Sequence, residues 1–152
     1  MSIWTHVNAA IRIDGIPGMF TNRPDLGTSW DSDEIEAAAE RDQTFDPDGT
    51  IPAGSEGSLR YSVIEYGTGL PWLAVNVWGD LRDFGLSPDD IESVVAYLER
   101  ITGPGILVRD GVATIQVESE PAQVWLWRRL ENMERDYHGP FGEWIRVDGA
   151  KP

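Results

Sequence analysis

Residues 3–13 read IWTHVNAAIRI, in which apolar or small residues alternate with mostly polar ones. Alternation with a period of two is typical of a β-strand that buries one of its sides. We therefore predict that the chain opens with a strand lying on a hydrophobic core. The side expected to face that core carries Ile3, Thr5, Val7, Ala9, Ile11 and Ile13.

Residues 87–104 read SPDDIESVVAYLERITGP and carry the start and stop signals of an α-helix. Ser87 is a favourable N-cap, Pro88 suits the first helical position, and two aspartates follow at the positive end of the helix dipole. Gly103 and Pro104 predict the end of the helix. The apolar residues at helical spacing are Ile91, Val94, Val95, Leu98 and Ile101.

An earlier helix is predicted to begin at Asp31, because Glu34 follows three residues later in a capping box. Residues 59–66 and 70–78 read as a hairpin joined by the glycine-containing residues 67–69. Residues 106–109 and 112–118 read as a second hairpin around Asp110-Gly111, a strong short-range turn signal.

The C-terminal region is more ambiguous. Residues 123–128 fit a strand by β-propensity, or a helix starting at Pro121 by their spacing. We favour a strand followed by a short helix, and we predict a last strand over residues 144–147.

The predicted element order is strand, helix, hairpin, helix, strand, with additional C-terminal strands. This order indicates the α+β class: a ferredoxin-like βαββαβ antiparallel sheet with both helices on one face. The length of 152 residues and the lack of an internal repeat or linker predict a single domain over residues 1–152.

The charge of the chain is strongly unbalanced. It has 26 acidic and 12 basic residues, a formal net charge of -14, and Lys151 is its only lysine. Such a surface repels phosphate backbones and anionic lipid, so we expect no direct nucleic-acid partner and no membrane partner. It favours a basic protein partner instead. The chain has no cysteine, no signal-peptide pattern and no apolar window of about 18 residues, so we expect a cytoplasmic protein.

No motif for catalysis, cofactor binding or metal binding is evident. The two histidines, His6 and His138, are too few for a zinc site without cysteine. The acidic turn at Asp46-Pro47-Asp48-Gly49 does not continue as a calcium loop. We therefore predict no catalytic residues, no metal and no cofactor.

The most suggestive polar cluster lies in residues 78–84, which read WGDLRDF. Asp80, Arg82 and Asp83 are expected to be presented together where a strand ends. They could form an ion pair that only orders the loop. Alternatively, the acids hold the guanidinium so that its remaining donors face a ligand. Glu56 and Arg60, in the segment GSEGSLRY (residues 54–61), have a similar character.

A second candidate surface is formed by Trp125 with Arg128. On a strand, Trp125 and Trp127 share one face, where core packing is the ordinary interpretation. The alternative is a stacking surface with an arginine nearby for an anionic group.

Three segments resemble a family of small, mostly uncharacterised phage and prophage proteins. They are SIWTHV through RID (residues 2–7 and 12–14), GSEGSL (residues 54–59) and GDLRDF (residues 79–84). The resemblance implies a phage-encoded protein acting in the cytoplasm of a bacterial host. It implies no activity, and no catalytic residue follows from it.

Three functional hypotheses follow. The first is a non-enzymatic protein that counteracts host defence by sequestering a small anionic, nucleotide-like ligand. Arg60, Arg82 and Arg128 would hold phosphate, with Trp78 or Trp125 against a base. We expect such a protein to form a homo-oligomer.

The second hypothesis is an acidic inhibitor that covers a basic surface of a host enzyme, in one version by mimicking nucleic acid. The acidic face of this inhibitor would be supplied by Asp31, Asp33, Glu34, Glu36, Glu40 and Asp42.

The third hypothesis is a small enzyme that uses clustered carboxylates, including Asp80.

Overall fold

A computed structural model describes residues 2–14, 24, 26, 51–66, 72–131 and 140–149. The helix predicted from Asp31, with the acidic residues of the inhibitor hypothesis, lies outside these residues. The same is true of the acidic turn at Asp46, of residues 67–69 and of residues 132–139, where most of the short helix predicted after residue 128 would lie.

The described residues form one six-stranded antiparallel sheet and one helix. The strands are β1 (Trp4–Asp14), β2 (Arg60–Tyr66), β3 (Trp72–Arg82), β4 (Leu107–Val117), β5 (Gln123–Arg129) and β6 (Gly142–Arg146), and the helix α1 is Pro88–Ile101. The strand order across the sheet is β2-β3-β1-β4-β5-β6, and every neighbouring pair is antiparallel. The helix connects β3 to β4.

The prediction of a ferredoxin-like βαββαβ fold with two helices is wrong. Strands dominate the described chain, and its only helix is the 14-residue α1. Three of the strands are 11 residues long, and β5 and β6 extend the sheet beyond β4. Capping signals and strand alternation act over a few neighbouring residues, whereas the extent of this pairing depends on distant ones, so the prediction underestimated the sheet.

The strand predicted at the start of the chain is confirmed and forms the middle of the sheet. In β1, alternate residues from Thr5 to Ile13 are buried, while His6, Asn8 and Ala10 between them are exposed. The buried side joins a core that includes Val94, Tyr97, Leu98 and Ile101 of α1. We call this side of the sheet the helix face and the opposite side the open face.

The helix from Ser87 is also confirmed, and its cap closes as the sequence predicts. The Ser87 hydroxyl accepts a hydrogen bond from the Asp89 amide at 3.3 Å. The Asp90 carboxylate accepts one from the Gly85 amide at 2.8 Å, which fixes the chain that leads into the helix. The backbone after the helix turns at Thr102, whose amide donates to Leu98.

The hairpin predicted at Asp110-Gly111 is wrong, because these residues lie inside the continuous strand β4. The pairing of β4 with β1 shifts register between Arg12 and Ile13, so Arg109 forms a bulge. Gly111 is required by packing and not by a turn. A Cβ atom there would lie 2.7 Å from the Trp144 ring and 3.2 Å from Trp127.

The strand interpretation of residues 123–128 is confirmed, as is a last strand near residue 144. Trp127 and Trp144 oppose each other across β5 and β6, with ring centroids 5.9 Å apart in an edge-to-face arrangement. The Trp144 indole donates a hydrogen bond to the Thr102 hydroxyl at 3.0 Å. This bond ties the edge strand β6 to the end of α1.

The first predicted hairpin is confirmed as the pair β2 and β3, but β3 continues to Arg82. Asp80 and Arg82 are therefore strand residues on one face, not members of an exit loop.

Within the described ranges, no helix has the length and apolar character needed to cross a membrane.

Candidate functional site

The open face carries a row of polar and aromatic residues across four strands. Trp78 on β3 lies opposite Arg60 on β2 and opposite Asn8 on β1, and Asn8 in turn lies opposite Thr114 on β4. Directly opposed residues in antiparallel strands point to the same side of the sheet. Arg60, Trp78, Asn8 and Thr114 therefore share this face.

Two shallow depressions meet at Trp78. The larger has a volume of about 430 Å³ and is lined by Asn8, Ala10, Asn76 and Thr114, among others. The smaller, of about 390 Å³, is lined by Asn8, Arg60 and Asp80 and by the backbone near residues 57–58. Trp78 is 40% exposed and borders both depressions. Its ring can therefore contact a molecule placed in either of them.

Asp80 is held by a histidine from the central strand. A ring nitrogen of His6 and a carboxylate oxygen of Asp80 lie 2.6 Å apart, and the two residues are opposed across β1 and β3. Both side chains are exposed. The pair orients the Asp80 carboxylate at the rim of the smaller depression and offsets part of its charge when His6 is protonated.

Arg82 is surrounded by groups that fix it in place. Its guanidinium pairs with the Glu56 carboxylate and donates to the Ser2 hydroxyl at 2.8 Å. The neighbouring Asp83 carboxylate lies 3.9 Å from it and accepts a hydrogen bond from Ser55 at 2.7 Å. The Ser55 bond, with the nearby Arg82 charge, holds the pKa of Asp83 below its ordinary value of 3.8.

Three of the segments singled out in the sequence meet at this point: the start of the chain at residues 2–3, residues 54–58 and the end of β3. Residues 54–58 run beside the end of β3, since the Ser55 amide donates to the Arg82 carbonyl at 2.8 Å and the Arg82 amide donates to Glu56 at 3.0 Å. Gly54 allows this approach, because a Cβ atom there would lie 2.6 Å from the Arg82 nitrogen. The Asp83 amide donates to the Ile3 carbonyl at 2.6 Å. These motifs therefore form a structural junction.

The structure brings together only part of the predicted ligand site. Arg60, Trp78 and Asp80 line one depression. Arg82 points to the same face but lies four residues beyond Trp78, about 13 Å along the strand. With Glu56 and Asp83, it forms an ion-pair cluster that orders the chain, which is the first of the two interpretations given above for Arg82.

Trp125 and Arg128 lie elsewhere. Trp125 is on the helix face, where it packs against the core beside α1. Arg128 is on β5, three strands from β3, and pairs with Glu143 of β6. Neither contributes to the depressions beside Trp78.

Sequence reasoning missed Asn8, Asn76 and Thr114. All three follow from strand periodicity, because they occupy the polar positions of strands whose other side is buried. They went unnoticed because a polar residue on a half-buried strand is ordinary until its cross-strand neighbours are known. Their amide and hydroxyl groups offer both donors and acceptors next to the Trp78 ring.

No cluster of three or more metal-ligating side chains occurs in the part of the chain that the structure describes. Comparisons with protein-family models, curated proteins and solved structures found no match.

Proposed function

We propose that the protein is a non-enzymatic binding protein that sequesters a small anionic, nucleotide-like ligand on its open face. The observation that carries the proposal is the juxtaposition of Trp78 with Arg60 at a two-part depression flanked by two asparagines. An aromatic platform, amide groups and a guanidinium are the features that hold a base and an anionic group together.

Each part of the ligand has a partner of matching chemistry. Stacking on Trp78 would contribute about 1–3 kcal/mol. Asn8 and Asn76 can donate to and accept from the edge of a base. Arg60 lines the smaller depression, where it would face the phosphate or carboxylate, and Asp80 is held at the rim by His6. Each depression, at about 400 Å³, suits a small molecule and not a polymer.

The net charge of -14 opposes the capture of an anion at long range. At physiological ionic strength, exposed charges more than about 8 Å away are largely screened. The affinity for an anion therefore depends mainly on the charged groups at the depression itself, which are Arg60 and Asp80. We place the activity in the cytoplasm of a bacterial host, where a phage-encoded protein would withdraw a defence signal; this context rests on the resemblance of its three segments.

Isothermal titration calorimetry with a panel of mononucleotides, dinucleotides and cyclic nucleotides tests the proposal. We expect one member to bind and Trp78→Ala to weaken its binding about ten-fold or more, as the loss of a stacked base predicts. Leu126→Ala is the matched control, because Leu126 is equally exposed on the same face but borders neither depression. The absence of heat with every nucleotide, or equal losses in both variants, would refute the proposal.

One observation favours a second candidate, an acidic inhibitor of a basic protein. A groove of about 340 Å³ between α1 and β5 is lined by Ile91, Val95 and Trp125 and flanked by Glu92 and Glu99. Apolar residues between carboxylates suit a cationic amphipathic segment of a partner. The net charge of the whole chain adds long-range attraction.

The two candidates differ in their response to charge reversal. Glu92→Lys combined with Glu99→Lys should abolish the capture of a basic host protein and leave nucleotide binding unchanged. Pull-down from bacterial lysate at low and high salt, with identification of the captured protein by mass spectrometry, makes the comparison. Capture that does not respond to salt or to the double substitution would exclude the electrostatic inhibitor.

A further inference from the structure

The edge strand β2 exposes apolar side chains on both of its sides. Tyr61 and Val63, on the helix face, are 42% and 39% exposed, and Ile64, on the open face, is 43% exposed. Five other exposed large hydrophobic residues are spread over the rest of the described chain. Three of the eight exposed large hydrophobic residues of the described chain therefore lie on this one seven-residue strand.

β2 has few of the features that keep an edge strand from pairing. It is seven residues long and pairs with β3 without a register shift, and its sequence, RYSVIEY, contains no proline, glycine or lysine. Its charged residues are Arg60 and Glu65, close to its two ends. It ends the sheet among the strands that the structure describes, and an edge strand of this kind can pair with another strand.

We propose that β2 pairs with β2 of a second copy of this chain, antiparallel and about a two-fold axis at Ser62. A two-fold axis perpendicular to the sheet keeps the two helix faces on the same side, so opposed residues must come from the same face. Axes at Ser62, Val63 and Ile64 all satisfy this condition. The choice among them depends on which side chains meet.

The axis at Ser62 gives the best match of side chains. It places Tyr61 opposite Val63 of the second copy, an aromatic and β-branched pair of the kind that stabilises antiparallel sheets. The axis at Val63 would place Tyr61 opposite Glu65, and the axis at Ile64 would place Val63 opposite Glu65. On the helix face, both alternatives set a carboxylate against an exposed apolar residue. The axis at Ser62 avoids this, and on the open face it places Arg60 opposite Ile64, where the aliphatic part of the arginine side chain can lie against the isoleucine.

The pairing joins two six-stranded sheets into one continuous sheet with a single open face. Arg60 lies two residues from the axis, about 7 Å along the strand, and Trp78 is its neighbour one strand inward. The two Trp78 depressions would therefore flank the interface on the same side. A seven-residue edge is a small interface, so we expect monomers and dimers to exchange across the micromolar range.

Single-cysteine variants test the register directly, because the chain contains no cysteine. Ser62→Cys should form a disulfide-linked dimer under mild oxidation, since directly opposed residues bring their Cβ atoms to about 4.5–5.5 Å. Ser119→Cys, at an exposed position in the bend before β5, is the control and should remain monomeric. A Ser62→Cys variant that cross-links no faster than the control would overturn the register.

Sedimentation velocity over a range of concentrations tests the dimer itself. The unmodified chain should shift from monomer to dimer, and Val63→Lys should remain monomeric, because it places a charge on the edge. Circular dichroism confirms that the variant is folded, and Tyr61→Lys serves as a second edge variant. A chain that is monomeric throughout, or a dimer that survives both lysine substitutions, would refute the pairing. Neither outcome depends on nucleotide binding.

Discussion

At the scale of single residues, close packing determines the identity of residues that the sequence presents as turn formers. Gly111 follows an aspartate, and the pair suggests a hairpin until the rings of Trp127 and Trp144 are seen beside it. A glycine in a strand often marks the close approach of another group. The local sequence does not distinguish a glycine that forms a turn from one that makes room for a neighbouring ring. The rings beside Gly111 belong to residues more than fifteen positions away in the chain.

Gly111→Ala should destabilise the protein by about 1–3 kcal/mol, because the added methyl group must displace a buried Trp144 ring. Urea unfolding followed by tryptophan fluorescence measures the loss. Ser119→Ala, at an exposed position, should change the free energy of unfolding little. Equal stability of the Gly111 variant and the unmodified chain would contradict the packing argument.

Asp83 should titrate below its ordinary pKa of 3.8, because the Ser55 hydroxyl donates a hydrogen bond to its ionised form. A folded-state pKa below the unfolded value adds stability that is present above about pH 4 and is lost as the pH falls through the folded pKa. In Ser55→Ala the pKa of Asp83 should rise toward 3.8. NMR titration of the carboxylate measures it, and an unchanged pKa would show that the hydrogen bond has no such effect.

At the scale of elements, strands and helices with strong periodicity were predictable, and their assembly was not. β1 and α1 were confirmed because alternation and capping act over a few neighbouring residues. The two-helix fold was wrong because the extent of strand pairing, including the length of β3, depends on contacts between distant residues. The same limit applies to the site: Trp78, Arg60 and Asp80 were predicted, but Asn8 becomes their neighbour only through the β1–β3 register.

Ser87→Ala should cost about 1 kcal/mol of stability, because it removes the acceptor for the Asp89 amide at the start of α1. Ser87→Asp should retain most of the stability, since aspartate also caps well. Chemical denaturation of the three proteins at neutral pH compares them. If the Ser87→Ala variant were as stable as the unmodified chain, water would hydrogen-bond to the Asp89 amide as well as the Ser87 hydroxyl does.

At the scale of the whole molecule, the excess of acidic residues gives the folded state a net electrostatic repulsion. Screening shortens the range of that repulsion, from about 30 Å at 0.01 M salt to about 10 Å at 0.1 M. Added salt therefore lowers the free energy of the compact folded state more than that of the expanded unfolded chain, and the protein becomes more stable.

The melting temperature should accordingly rise by several degrees between 10 mM and 300 mM sodium chloride. Differential scanning calorimetry at pH 7 over this range of salt concentrations measures the change. A melting temperature that is flat or falls with salt would show that local ion pairs such as Arg82–Glu56 outweigh the general repulsion.

The position of β1 in the middle of the sheet has a consequence for biosynthesis. Thr5 is opposed by Leu81 on β3 and by Val117 on β4. Because β1 precedes both strands in the chain, its pairing can be completed only after β4 has been synthesised. At about 5–20 residues per second, the interval from β1 to β4 is about 6–20 s. Both edges of β1 are open until β3 is synthesised, and the edge toward β4 stays open for the whole interval. The nascent chain is therefore expected to be a client for a chaperone, and the released protein is expected to fold slowly.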